Sequence, residues 1–189
     1  MKDSRAFIER LSGLAHLSAE LKEELAFNLV AEQYRSHQVI HAAGQVETRF
    51  WYIAEGLVRT YDFDLSGREQ TFAFFRHQDL LFSFEGYWKE KSNHYIEVLE
   101  TSMLVSLSYE HLHALLTRFP EMQDLVKIFV RQYLHQERYR HHLLTLTAKE
   151  RYLHLRKSRP ELFRHVSVRL LATYLHITRE SLSRLMGRD

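Results

Sequence analysis

Apolar positions along the 189-residue chain change their spacing twice, and those changes divide it into three parts. In the first thirty residues the spacing is helical: Phe7, Ile8 and Leu11 share one face, and Ser18 opens a second helix with Leu21, Leu25, Leu29 and Val30. From Tyr34 to about Ser108 the period shortens. Val39-Ile40, Phe50 to Ile53, Leu57 to Tyr61, Gln70 to Phe75, Tyr95 to Leu99 and Met103 to Leu107 are short aromatic and β-branched runs, several bounded by turn residues at Gly44, Glu55-Gly56 and Ser66-Gly67. Strands at this spacing, with a hairpin at Leu65 to Arg68, predict an antiparallel roll or sandwich, the expected sensing module. Helical spacing returns over Tyr109 to Arg118. Beyond Pro120 it continues in one helix from about Glu121 to Thr145, about 36 Å long at about 1.5 Å per residue. Its stripe, with Leu125, Phe129, Tyr133 and Leu143, is assigned to a two-fold dimer seam in the manner of a coiled coil, the alternative being a plain core helix.

The last part carries the most specific pattern. Between Ser167 and Met186, Val168, Leu171, Ala172, Leu175, Ile177, Leu182 and Leu185 fall into two short helical phases with Ser167 and Thr178 as N-caps. Helices this short are unstable alone, so they must fold against each other and a third element, as in a helix-turn-helix with Ala172 at the crossing and Leu182 and Leu185 inward. Arg179, Glu180, Ser183, Arg184 and Arg188 then face outward, where they suit phosphates and base edges. A hairpin that merely closes a core would leave a polar face too. Charge separates the two readings: residues 147–189 hold ten Lys/Arg against four Asp/Glu, whereas residues 1–146 hold sixteen against twenty. Positive charge gathered on the helix-turn-helix is what nucleic-acid binding requires. The expected division is a sensor roll over 1–118, a dimerisation helix over 119–146 and a DNA-binding domain over 147–189.

Composition narrows the remaining classes. With 45% apolar residues, a mean hydropathy of −0.37 and no apolar run able to span a bilayer, the chain is expected to be soluble, cytoplasmic and not membrane-bound, and its start lacks the apolar centre of a signal peptide. The absence of cysteine excludes disulfides and thiolate metal sites. Thirteen histidines, among them His37, His41, His111, His113, His141 and His142, show no third ligand at a recognised spacing, so no metal, cofactor or catalytic site is expected. Two alternatives stand beside a DNA-binding regulator. One is a module whose helix-turn-helix docks another protein; the other is a metal-dependent enzyme of the cupin type, against which the His111-Leu112-His113 run falls on an expected helix.

The stretches Tyr52 to Arg59, Gly67 to Phe72, Leu99-Glu100, Ala148 to Tyr152 and Ala172 to Arg184 resemble the Crp–Fnr family of transcription regulators, to which the cyclic-AMP receptor protein belongs. The resemblance implies an α+β chain: an N-terminal cyclic-nucleotide-binding-like antiparallel β-roll, a long dimerisation helix and a C-terminal helical helix-turn-helix domain. It also implies a homodimer on near-palindromic double-stranded DNA, with half-sites about 34 Å apart, RNA polymerase as a further partner and a small-molecule effector. By the same resemblance Arg179, Glu180 and Arg184 contact bases, which agrees with the fit of an arginine fork to guanine and of a carboxylate to the cytosine amino group. With little room for a β-wing, backbone phosphates are expected to meet Arg164, His165, Ser167, Arg169, Ser181 and Arg188. Two departures follow. Where the family's phosphate cassette has Gly-Glu and then Arg, this chain has Phe82-Ser83 and Ser92, which argues against cyclic AMP because the buried phosphate would lack its cation. Phe82, Ser83, Phe84, Glu85, Tyr87, Trp88, Ser92 and His94 become the expected pocket for another effector, or else the rings simply fill the roll. The second departure is His176, where the turn usually has glycine for a left-handed backbone.

Overall fold

The computed structural model describes residues 2–187. In chain order, α1 (Lys2–Ser12) and α2 (Ala19–Asn28) lead into β1 (Val30–Tyr34), β2 (Val39–His41), β3 (Arg49–Glu55), β4 (Leu57–Phe63), β5 (Glu69–Arg76) and β6 (Leu80–Leu81). A short α3 (Phe84–Tyr87) precedes β7 (Tyr95–Val98) and β8 (Ser102–Ser108), and the chain then stays helical through α4 (Tyr109–Arg118), α5 (Glu121–Thr145), α6 (Ala148–Ser158), α7 (Leu162–His165), α8 (Val168–Leu175) and α9 (Arg179–Met186). The strands make two four-stranded sheets, β1-β8-β3-β6 and β2-β7-β4-β5. The chain divides into two compact units. One holds Met1–Arg59 and Phe74–Leu134; the other holds Thr60–Ala73, the β4–β5 hairpin, together with His135–Asp189.

In the first unit an aromatic core joins helices to sheet. Phe7 of α1 stacks on Tyr52 of β3 at 4.7 Å between ring centroids, and Phe50 meets Phe82, Tyr109 and Phe129 at 5.5 to 6.3 Å. Leu21 and Leu25 of α2, Leu112 of α4 and Leu125 of α5 close the same cluster. Ser18 accepts the Leu21 amide as the N-cap of α2, while its hydroxyl donates to Glu121 at 2.6 Å in the first turn of α5. That bond lowers the Glu121 carboxyl below its ordinary value. Between β3 and β4 the chain turns at Gly56, whose φ of 103° and closeness to Ser102 leave no room for a side chain.

Two expectations change here, and one strand has no sequence sign. Helix α2 ends at Asn28, and Val30 starts a strand paired with β8 from Ser106 onward. The apolar run Leu25, Leu29, Val30 keeps a helical spacing across that boundary, so periodicity alone conceals it. The two-residue β6 has no pattern to show. The largest correction concerns α5: Leu125 and Phe129 are buried in the core of the first unit and Leu143 in the second, so none of them has surface to offer a partner. Tyr133 is half-buried and stacks on Phe84 at 5.8 Å. The longest exposed stretch of the helix is its middle, residues 131–138, where only Tyr133 is partly covered and Leu134 is 45% exposed.

The second unit has a thinner core, made by Leu143, Tyr152, Leu155, Leu162, Leu171, Leu175 and Leu182. Its helices depend on their ends. Thr147 and Glu150 form a reciprocal capping box at the start of α6, and Ser167 and Thr178 cap α8 and α9 as expected.

Candidate nucleic-acid interface

Helices α8 and α9 have eight residues each. The turn between them is closed by His176 at φ 51° and ψ 48°, with the Ile177 amide reaching back to the Ala172 carbonyl at 3.1 Å. This is a Schellman-type ending built on a left-handed residue, normally glycine. Partial burial, and after it the charges of Arg140 and Arg151, lower the His176 imidazole to about 4, so it is neutral at pH 7. Thr178 accepts the Ser181 amide at 3.1 Å, and its hydroxyl donates to the Ser181 hydroxyl at 2.9 Å.

Inside this frame Leu182 is fully buried and Leu185 half-buried, so the outward face of α9 is set by its phase. Arg179, Glu180, Ser183 and Arg184 are all exposed and border one open depression of about 580 Å³. Two arginine forks and a carboxylate at the first turns of a short exposed helix can read base edges. Of the residues expected on phosphates, Arg164, His165, Ser167 and Arg169 are exposed and Ser181 is half-buried; Arg188 lies outside the described residues. Ser167 spends its hydroxyl oxygen on the Leu170 amide, and Arg169 is paired with Glu69 of β5 at 3.2 Å.

Arg140 of α5 is a structural residue that sequence reading does not bring out. It follows the apolar stripe of α5 and is only 7% exposed. One guanidinium nitrogen donates to the Tyr174 carbonyl near the end of α8, and another donates to the Thr71 carbonyl of the hairpin at 2.9 Å. The Tyr174 and Phe72 rings cover it at 4.8 and 5.8 Å. Burial lowers the pKa of this guanidinium from its ordinary value. Beside it the Thr71 and Thr173 hydroxyls meet at 2.7 Å, and a cleft of about 780 Å³ runs along the hairpin, α8 and the turn. The only sequence sign of Arg140 is a cation standing at a core phase.

In the roll, the expected effector residues do not converge. Phe82 is buried among Phe50, Tyr109 and Phe129, and Tyr87 packs on Tyr109 and His113, so these rings are core rather than pocket lining. The apolar character of Phe82 and Tyr87 serves packing against Phe50 of β3 and against Tyr109, His113 and Phe129 of α4 and α5. Ser83 caps α3 through the Gly86 amide, and its backbone exchanges hydrogen bonds with the Tyr109 hydroxyl at 2.7 and 2.8 Å. Ser92 is buried and knits loops, with its amide on the Gln45 carbonyl and its hydroxyl accepting the His94 amide. Phe84 and Trp88 are exposed, and Glu85 and His94 are half-buried. The roll's own buried arginine, Arg59, is taken by Glu97 at 2.6 Å. Among the described residues, no group of three or more histidines and carboxylates could hold a metal ion, and no helix is long and apolar enough to cross a membrane.

Comparison with known proteins agrees with this geometry. Residues 31–119 match the family model of the cyclic nucleotide-binding domain. No curated protein matches the chain in sequence. Among solved structures, FixK2 from Bradyrhizobium japonicum superposes with a TM-score of 0.73 at 19% identity over 85% of this chain and 83% of its own. CLP, the c-di-GMP responsive global regulator from Xanthomonas campestris, gives 0.70 at 17% over 90% and 91%. A protein assigned to the crp/fnr family from Eubacterium rectale gives 0.72 at 15% over 91% and 83%. The chain as a whole therefore shares the fold of these solved structures, and its residues 31–119 are similar to the cyclic nucleotide-binding domain.

Proposed function

We propose that this protein is a DNA-binding transcription regulator that acts as a homodimer on a near-palindromic site. The observation that carries the reading is the outward face of α9, where Arg179, Glu180, Ser183 and Arg184 are exposed together on a helix seated by Leu182. In this reading Arg179, Glu180 and Arg184 read bases. Arg164, His165, Ser167, Arg169 and Ser181 meet phosphates, with Arg188 assigned to the same role from sequence. The roll is the sensing part, and its effector is not cyclic AMP: Phe82 is consumed by the core, Ser92 by the loops, and Arg59 is held by Glu97, which leaves a cyclic phosphate without its cation. The pairing surface of the dimer is the exposed middle of α5 around Leu134, since Leu125, Phe129 and Leu143 are spent inside the chain.

Selection of bound sequences from a random duplex pool at moderate salt tests the proposal. An enriched near-palindrome is expected with the native protein and is lost when Arg179, Glu180 and Arg184 are all changed to alanine. Weak binding with no enriched sequence, unaffected by the three changes, would sink it.

A further inference from the structure

The β4–β5 hairpin belongs to the same compact unit as the helix-turn-helix, and its charge is opposite to that of its neighbours. Residues 60–73 hold Asp62, Asp64 and Glu69 against Arg68 alone. Asp64 is locked into the turn, accepting from the Ser66 amide at 2.8 Å, the Ser66 hydroxyl at 2.6 Å and the Arg68 amide at 3.0 Å. Those bonds hold its carboxyl well below the usual carboxylate range, so it stays anionic. The hairpin is fastened to α8 by the Thr71–Thr173 hydroxyl pair and by Arg140, which grips the hairpin carbonyl of Thr71 and the α8 carbonyl of Tyr174 together. One further contact is of a different kind. Glu69 takes the guanidinium of Arg169, in the first turn of α8, at 3.2 Å.

Resting on the DNA-binding reading, we infer that the hairpin is an autoinhibitory latch: Glu69 occupies the Arg169 guanidinium that a DNA phosphate would otherwise take. A phosphate arriving at that guanidinium meets the Glu69 carboxylate and is repelled by its charge, so the Glu69 contact opposes duplex binding at this point. The exchange is nearly balanced, because one charge-assisted pair replaces another. It is also cheap to reverse, since Arg169 is mostly exposed and such pairs contribute little. Unlike the Thr71–Thr173 pair and the Arg140 grip, this contact engages a side chain of the proposed DNA face. Both strands of the hairpin, β4 and β5, belong to the sheet β2-β7-β4-β5, and Glu69 is the first residue of β5.

The test is a set of duplex titrations at several salt concentrations with the full chain and the variants Glu69→Gln, Arg169→Ala and the double variant. Circular dichroism serves as the check that each is folded. Glu69→Gln is expected to raise affinity about two- to five-fold and to steepen the salt dependence by about one unit. In the Arg169→Ala background the same change is expected to do neither. A Glu69→Gln protein that binds like the native one, or that gains equally with and without Arg169, would overturn the latch, the second outcome being a general charge effect. If the native protein binds duplex DNA normally in those runs, the DNA reading survives that failure. If neither protein shows salt-dependent duplex binding, the DNA reading fails and the latch fails with it.

Discussion

The two units solve the problem of holding helices together in different ways. The first is closed by rings: Phe7, Phe50, Tyr52, Phe82, Tyr109 and Phe129 form one continuous aromatic core against which α1, α2, α4 and α5 settle. The second buries fewer large side chains and relies on caps, a left-handed turn and a buried arginine hydrogen-bonded to two carbonyls. Aromatic packing is strong but has one arrangement, because close-packed interiors do not deform by small steps. Polar ties are weaker and exchangeable. The unit proposed to meet DNA is thus the one held by contacts that can be traded.

The contrast is open to direct attack, beginning with the rings. Phe50→Ala removes a side chain that touches Phe7, Phe82, Tyr109 and Phe129. It should destabilise the first unit by about 3–5 kcal/mol. Both tryptophans, Trp51 and Trp88, lie in that unit, so a denaturant titration followed by tryptophan emission reports it selectively. A shift smaller than about 1 kcal/mol would mean that the ring cluster is not what closes this unit.

Arg140→Met is the matching change in the second unit. Methionine keeps much of the packing but leaves the Tyr174 and Thr71 carbonyls without their donor, which should cost about 2–4 kcal/mol. Helical circular dichroism should then fall at lower denaturant while the tryptophan transition stays in place. Coincident movement of both signals would show that the units unfold as one body and would remove the distinction drawn between them.

How far sequence reading reached follows the same divide. Period and capping residues located α4, α5, α8 and α9, because those helices are amphipathic and begin at Ser or Thr or just past Pro120. The outward set on α9 followed from its phase. What stayed hidden depends on contacts far apart in the chain. Periodicity shows that Leu125, Phe129 and Leu143 lie on one stripe, but it does not say whether the stripe meets its own core or a second chain; the burial answers that for the core. The aromatic run from Phe82 to Trp88 was similarly ambiguous, as rings suit pockets and cores equally. Arg140 and the Glu69–Arg169 pair had no local sign, since their partners are 34, 69 and 100 residues away.

Smaller changes sharpen the claim that the second unit depends on its ends. Thr147→Ala removes the acceptor for the Glu150 amide and one side of the capping box. It should cost about 1 kcal/mol, read as earlier loss of helical dichroism with tryptophan emission unmoved. No loss would mean that α6 is held by Tyr152 and Leu155 alone.

The smallest expected effect is at His176, and it changes with pH. At φ 51° a histidine pays a left-handed penalty that glycine does not, so His176→Gly should stabilise the second unit by up to about 1 kcal/mol at pH 7 after glycine's extra chain entropy is counted. The imidazole adds a second contribution. Its proton affinity in the folded chain is lowered to about 4 from an ordinary 6.5, by partial burial first and then by Arg140 and Arg151, with Asp64 opposing. Between those values the unfolded chain binds more protons than the folded one, so stability is full above pH 6.5 and falls as the pH drops toward 4. His176→Gly abolishes that loss, and its advantage over the native protein should therefore widen from pH 7 to pH 4.5. Helical dichroism against denaturant at the two pH values measures the difference. An advantage that stays constant with pH would show that only the backbone conformation matters at this turn, and that neither burial nor the neighbouring guanidinium charges lower the proton affinity of the ring.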